Sequence, residues 1–322
     1  QGILANVDRG ALLEGVATRV PSEEVAATFG VPCLSYEELL RRVDVVCVCT
    51  PSGQHAGQAI LAAEAGCHVI VEKPMALTLA DADTMIEACA TRGLLLGVAL
   101  QRRASPMFQR VAAAVHAGYL GAPTLRFVTI PYFRDQAYFN SAVWRGTWDM
   151  DGGGVLMNQG FHLVDLLLWC LGDPVRVLAR GATLARDVEV EDTIVATLVF
   201  GNRAHGCIAA TATAAPGFPH RLEIYGTAGG IQVEGEAVRR WDLANPNAAT
   251  VTPWDISQAG TTPGKAGAGA DPRAVGTAGH ARLIANFLDA LRGQAPLAID
   301  GREGRRGLAT ILDIYRAAGL GR

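Results

Sequence analysis

Four short apolar runs punctuate the first hundred residues, and helical patterns fill the intervals between them. Residues 12–18, 43–49, 69–71 and 94–100 are dominated by Val, Leu, Ile, Ala, Gly and Cys, with no polar alternation. Residues 22–29, 36–42, 56–65 and 81–91 read as helices, with Ser22 and Ser35 placed as N-caps and Gly66 and Gly93 as stops. Strands that lack alternation are buried on both faces, and strands separated by helices pair in parallel. The expected class is therefore α/β, a Rossmann-like doubly wound parallel sheet.

The second half changes character. A helix at 106–117 leads to a strand near 124–132, an irregular aromatic segment, and a long helix from about 153 to 171. Extended segments follow at 175–184, 193–200, 204–214, 221–225, 231–234 and 237–241, several joined by turn signals such as Gly201 with Asn202 and Gly229 with Gly230. Consecutive strands with tight turns are antiparallel. This half is expected to be an α+β domain with one large, mostly antiparallel sheet. Residues 243–276, rich in Ala, Gly, Pro, Thr and Asn, are expected to form a surface loop, and helices at 278–292 and 302–318 close the chain. The predicted division is a nucleotide-binding domain at 1–104 and a substrate-binding and oligomerisation domain at 105–322.

Composition narrows the partners. With 28 Lys and Arg against 31 Asp and Glu, the net charge of -3 gives no footprint for nucleic acid or an anionic membrane. No apolar run approaches the ~20 residues that span a bilayer. No signal peptide is read at Gln1, since no basic region precedes a long apolar stretch. The seven cysteines are odd in number, include no Cys-x-x-Cys and mostly lie in apolar runs. They read as small buried hydrophobes in a reducing cytoplasm, without zinc spacing.

A dinucleotide fold opens with a strand and Gly-x-Gly-x-x-Gly before its first helix. Gln1, Gly2, Ile3 and Leu4 read instead as the helix after such a loop, so the first strand and glycine loop are expected to lie upstream. Gly152, Gly153 and Gly154 follow no strand and do not replace them. The second strand ends in Val16, Ala17, Thr18 and Arg19, where such folds usually place an acid on the ribose 2′-hydroxyl. A hydroxyl beside a guanidinium suits a 2′-phosphate, which favours NADP over NAD; the alternative is an Arg facing water. The next strand ends in Thr50 and Pro51. His55 beyond them either lies near the cofactor or caps the following helix.

The strand at 69–71 ends in Glu72, Lys73 and Pro74, at the edge where ligands bind in such sheets. Pro74 biases Lys73 toward an extended backbone, which aims its side chain at that edge. The alternative is a solvated Glu-Lys loop. On the apolar helix from 153, Asn158, His162 and Asp165 recur at i, i+4 and i+7 on one face. Three readings fit that face: a catalytic set, a buried His paired with Asp165, or half of a metal site. Further acidic ligands at useful spacing are not evident.

Taken in order, Thr50, Pro51 and His55, then Glu72, Lys73 and Pro74, then Gly152 to Gly154 with Asn158, Gln159, Gly160, His162 and Asp165 form a specific set. Glu191, Asp192 and Thr193 lead a strand, residues 221–226 precede a glycine turn, and Asp300 to Gly304 precede the last helix. This pattern resembles the glucose-fructose oxidoreductase / inositol dehydrogenase (Gfo/Idh/MocA) family along essentially the whole chain. The resemblance implies a pyridine-nucleotide oxidoreductase acting on a sugar, cyclitol or related polyol. Its motif lysine falls on Lys73 and its motif histidine on His162, with Asn158 where Asp is frequent in the family. Arg103 with Gln101 matches the substrate-side arginine region, and Trp144 with Arg145 a pair near cofactor or substrate.

The expected catalytic residues are thus Lys73, His162 and Asn158. Lys73, Arg103, Asn158, His162 and Asp165 are expected on the substrate. Thr18, Arg19, Thr50, Pro51, His55, Glu72, Lys73, Pro74, Gln101, Trp144 and Arg145 are expected on the cofactor, with no metal. The Val-, Ile-, Ala- and Thr-rich sheet is expected to join a homodimer or homotetramer. The competing readings are an NADP(H)-binding protein without turnover and, behind it, a metal-dependent sugar isomerase or lyase.

Overall fold

A computed structural model describes residues 1–244, 269–271 and 276–321. The loop expected at 243–276 lies mostly outside them. The chain forms two compact units, Gln1–Gln101 with Thr277–Arg305, and Arg102–Gly276 with Arg306–Arg322. Residues 277–305, expected in the second domain, therefore belong to the first unit.

The first unit contains β1 (Val16–Ala17), α1 (Glu23–Phe29), β2 (Cys33–Leu34), α2 (Tyr36–Leu40), β3 (Val45–Val48), α3 (His55–Glu64), β4 (His68–Val71), α4 (Leu79–Ala90) and β5 (Leu96–Val98). Local sequence starts the helices as expected. Ser22 accepts from Val25 N at the head of α1, and Ser35 forms a reciprocal capping box with Glu38 at α2. β3, β4 and β5 form a parallel sheet in that order, while β1 and β2 pair in parallel separately. Val46, Val48, Val69, Val71 and Val98 are buried, as expected for strands covered on both faces.

The second unit holds α5 (Pro106–His116), β6 (Pro123–Pro131), α6 (Gln136–Asn140), α7 (Phe161–Leu171), β7 (Pro174–Ala182), β8 (Thr193–Phe200), β9 (His205–Thr211), β10 (Arg221–Gly226), β11 (Gly229–Glu234) and β12 (Ala237–Leu243). Its seven strands run in the order β12-β11-β10-β6-β9-β8-β7. Every pairing is antiparallel except β6 with β9. Burial alternates along β8, where Ile194, Ala196, Leu198 and Phe200 are buried while Val195 and Thr197 are exposed. α7 packs on α5 and β6, which places the apolar helix of the sequence against the inner face.

α8 (Ala278–Leu291) belongs to the first unit, and α9 (Gly301–Ala318) begins there and continues in the second. Asn6 donates to the carbonyls of Gly2 and Ala281, and Arg9 pairs with Asp289, so α8 is tied to the 3₁₀ helix Leu4–Arg9. These long-range contacts explain why 277–305 belongs to the first unit. Among the described residues, no helix is long and apolar enough to cross a membrane.

Candidate functional site

In the first unit, β3 and β4 are parallel neighbours, so both leave the sheet at the same edge. Glu72 N still donates to Val48 O at 3.0 Å, one step past the strands. Lys73 follows, half-exposed, and its bond to Pro74 is cis. Glu72 accepts from Lys73 N at 3.4 Å and from His280 Nε2 at 3.2 Å. Burial pushes the Glu72 carboxyl up, but the His280 hydrogen bond and the charges of His280 and Lys73 outweigh it and hold it low. Sequence reasoning missed His280, since nothing local marks a residue 208 positions away as the neighbour of Glu72.

Thr18, Arg19 and Thr50 are exposed at the ends of β1 and β3. Thr18 donates to Val20 O at 2.7 Å. With the Thr18 hydrogen committed there, the exposed Arg19 guanidinium is the donor at this strand end that fits a phosphate-bearing nucleotide. His55, expected on the cofactor, is 1% exposed, and its two ring nitrogens lie against the carbonyls of Thr50 and Pro74. Gln101 is also buried, packed closely enough on Gly279 that a Cβ there would lie 2.9 Å from Gln101 O.

In the second unit, the helix expected from 153 to 171 is not regular. Leu156–Gly160 forms a π-type turn, and the α-helical part starts at Phe161. The wider turn rotates Asn158 relative to the residues after it, so uniform spacing does not carry through the segment. Asn158 and His162 are half-exposed, whereas Asp165 is 1% exposed. Asn158 Nδ2 donates to Asp151 Oδ1 at 2.7 Å, and Gly146 N donates to the other oxygen of the same carboxylate.

Asp165 and Arg103, expected on the substrate, are buried against each other. Arg103 donates through Nε at 2.8 Å and Nη2 at 2.5 Å to the two carboxylate oxygens. A substrate would have to break this bidentate pair to replace either partner. Trp144 and Arg145 stay half-exposed. The Arg145 guanidinium lies 4.5 Å from the ring centroids of both Trp144 and Tyr138 and donates to the Tyr138 hydroxyl at 2.8 Å.

Sequence reasoning recognised the stretch that holds Glu191 but gave it no part in the site. The Glu191 side chain is buried at the head of the π-turn segment and accepts from Gly154 N at 2.8 Å, Leu156 N at 3.0 Å and the Tyr315 hydroxyl at 2.9 Å. Burial pushes its carboxyl up to about 7 despite these donors. Among the described residues, no group of three or more His, Cys, Asp or Glu side chains is placed to hold a metal ion.

Residues 4–100 match the family model described as the oxidoreductase family with an NAD-binding Rossmann fold, and residues 108–232 match the GFO/IDH/MocA C-terminal domain. The chain is 32% identical over 201 residues to the uncharacterized oxidoreductase YrbE of Bacillus subtilis (strain 168), covering 60% of this chain and 57% of that protein. It is 32% identical over 195 residues to myo-inositol 2-dehydrogenase of Thermotoga maritima, covering 59% and 56%. The match thus spans little more than half of these two relatives. Among solved structures, the WlbA dehydrogenase from Bordetella pertussis in complex with NADH and UDP-GlcNAcA superimposes with a TM-score of 0.86 at 33% identity, covering 99% of this chain and 90% of that one.

The raised carboxyl of Glu191 has a definite consequence for stability. The folded state binds its proton more tightly than the unfolded state does, so this contribution is present below the unfolded value of about 4.5 and is lost as pH rises through about 7. Thermal melts should show the wild-type protein losing Tm relative to Glu191→Gln between pH 5 and pH 8. A gap that stays constant or widens in favour of wild type over that range contradicts the assignment.

Proposed function

The chain belongs to the Gfo/Idh/MocA oxidoreductase family, and on that premise we propose that it interconverts a secondary alcohol and a carbonyl on a sugar, cyclitol or related polyol with a nicotinamide nucleotide. The observation that carries the reading is Lys73, placed by Glu72 and Pro74 where β3 and β4 leave the parallel sheet together. A bound nicotinamide nucleotide supplies the hydride chemistry. Lys73 holds the substrate oxygen and stabilises the negative charge that develops on it. His162 takes up or returns the hydroxyl proton, and Asn158, braced by Asp151, orients the polar surroundings of the helix. The similarity to a dehydrogenase whose structure holds NADH and UDP-GlcNAcA supports adding nucleotide-linked uronic acids to a panel of polyols and aldoses.

NADP is the preferred nucleotide in this reading, with Thr18 and Arg19 at the 2′-phosphate. The exposed Arg19, at a strand end without the usual acid, supports it. A homodimer or homotetramer forms through the outer face of the seven-stranded sheet, where Leu125, Leu178 and Val195 are exposed.

Three outcomes check these readings. Lys73→Ala and His162→Ala should each lower turnover by ~10²-fold or more while nucleotide affinity, read by fluorescence titration, stays close to wild type. Near-normal turnover in both variants would refute the assignment. Arg19→Ala should weaken NADPH binding by ~10-fold and leave NADH almost unchanged, and equal losses for both nucleotides would argue against a 2′-phosphate contact. Equilibrium sedimentation should show an oligomer that Val195→Glu shifts toward monomer; a wild-type protein that is monomeric throughout rules the interface out.

A further inference from the structure

We propose that His55 is a positioning residue for Lys73, its buried ring bracing the end of β3 against the segment after β4. The inference deepens the reading above and rests on Lys73 being the group that holds the substrate oxygen. His55 opens α3 and is 1% exposed. Its Nδ1 lies 2.7 Å from the carbonyl oxygen of Pro74, and its Nε2 lies 2.7 Å from the carbonyl oxygen of Thr50.

Both partners are carbonyl oxygens, which only accept hydrogen bonds. Whichever ring nitrogen carries the hydrogen donates to the carbonyl it faces, and the buried ring fills the space between the two carbonyls.

The two carbonyls belong to the two loops that matter. Thr50 precedes the exit at Pro51, and Pro74 directly follows Lys73. The parallel ladder joins β3 and β4 only as far as Glu72 N on Val48 O. Beyond that point, the described hydrogen bonds joining the two loops run through the His55 ring. On the other side of Lys73, the Glu72 carboxylate receives both Lys73 N and His280. The backbone is thus held before and after Lys73. Small displacements of a group that must meet a reacting atom are costly in rate, which gives such bracing its value. With both nitrogens engaged inside the first unit, His55 serves the geometry rather than touching a ligand.

The test uses the whole protein and three measurements. Hydrogen exchange should show the backbone amides around Thr50 and Pro74 exchanging faster in His55→Phe than in the wild-type protein; unchanged exchange overturns the proposal. His55→Phe fills the ring volume without donors. Its kcat should fall ~10-fold to 10²-fold while nucleotide Kd changes less than about threefold, and an unchanged kcat in a folded variant overturns the proposal. His55→Gln restores an N–H donor and should recover part of that kcat, which a purely space-filling role would not produce; no recovery counts against the brace. The exchange result does not depend on turnover. A failed Lys73→Ala test beside faster exchange in His55→Phe would therefore sink the catalytic reading and leave the brace standing.

Discussion

The geometry of the second unit hangs on one buried carboxylate. The first turn of any helix leaves backbone N–H groups without intrahelical partners, and its dipole favours negative charge there. Glu191 supplies acceptor oxygens to the segment that carries Asn158 and His162, receiving Gly154 N, Leu156 N and the Tyr315 hydroxyl. Tyr315 in turn accepts from Met157 N at 3.1 Å, so a residue of α9 completes the set. The approach is so close that a Cβ on Gly154 would lie 1.7 Å from the Glu191 carbonyl oxygen, which excludes every side chain but hydrogen. Desolvation opposes the charge and the donors favour it, and the balance leaves the group titrating near neutrality.

The same arrangement recurs in the first unit by different means. A β ladder satisfies backbone groups only along its own length, and those just beyond it need other partners. At the end of β3 and β4 the partners are side chains: the His55 ring for Thr50 and Pro74, and the Glu72 carboxylate for Lys73 N. In both units the candidate chemistry lies at or just beyond the end of a regular element, Lys73 after β4 and His162 in the first turn of α7, where backbone groups are held by buried or half-buried ionisable side chains. A position inside the ladder or helix would be equally rigid but would face a neighbouring strand or the core.

Much of this fold was legible because it is written locally. Ser22 and Ser35 cap the helices they precede, the runs around Val46 and Val69 form the parallel strands, and the short turns after residue 200 join antiparallel neighbours. Lys73, His162 and Asn158 were legible as candidates from motif order, and the structure leaves all three half-exposed. The misses have two causes. β2 has two residues and α6 five, too few to show a period. The π-type turn, the neighbour of Glu72 and the return of 277–305 to the first unit depend on partners far along the chain. Spacing put Asp165 on the face of Asn158 and His162, but Arg103, 62 residues away, claims it.

That last pair explains why an apolar helix keeps a buried charge at all. Taking both ions out of water costs about as much as their attraction returns, so the pair is a poor source of net stability. Hydrophobic residues of similar volume would pack α7 as firmly. What they would lack is direction. A planar guanidinium meeting a carboxylate through two parallel hydrogen bonds tolerates one orientation, and the Arg103 guanidinium is further located 5.5 Å from the ring centroid of Trp169 on the same helix. Asp165 therefore fixes the rotation of α7 about its axis. His162, less than one turn earlier, turns with it, so the pair sets where the imidazole points.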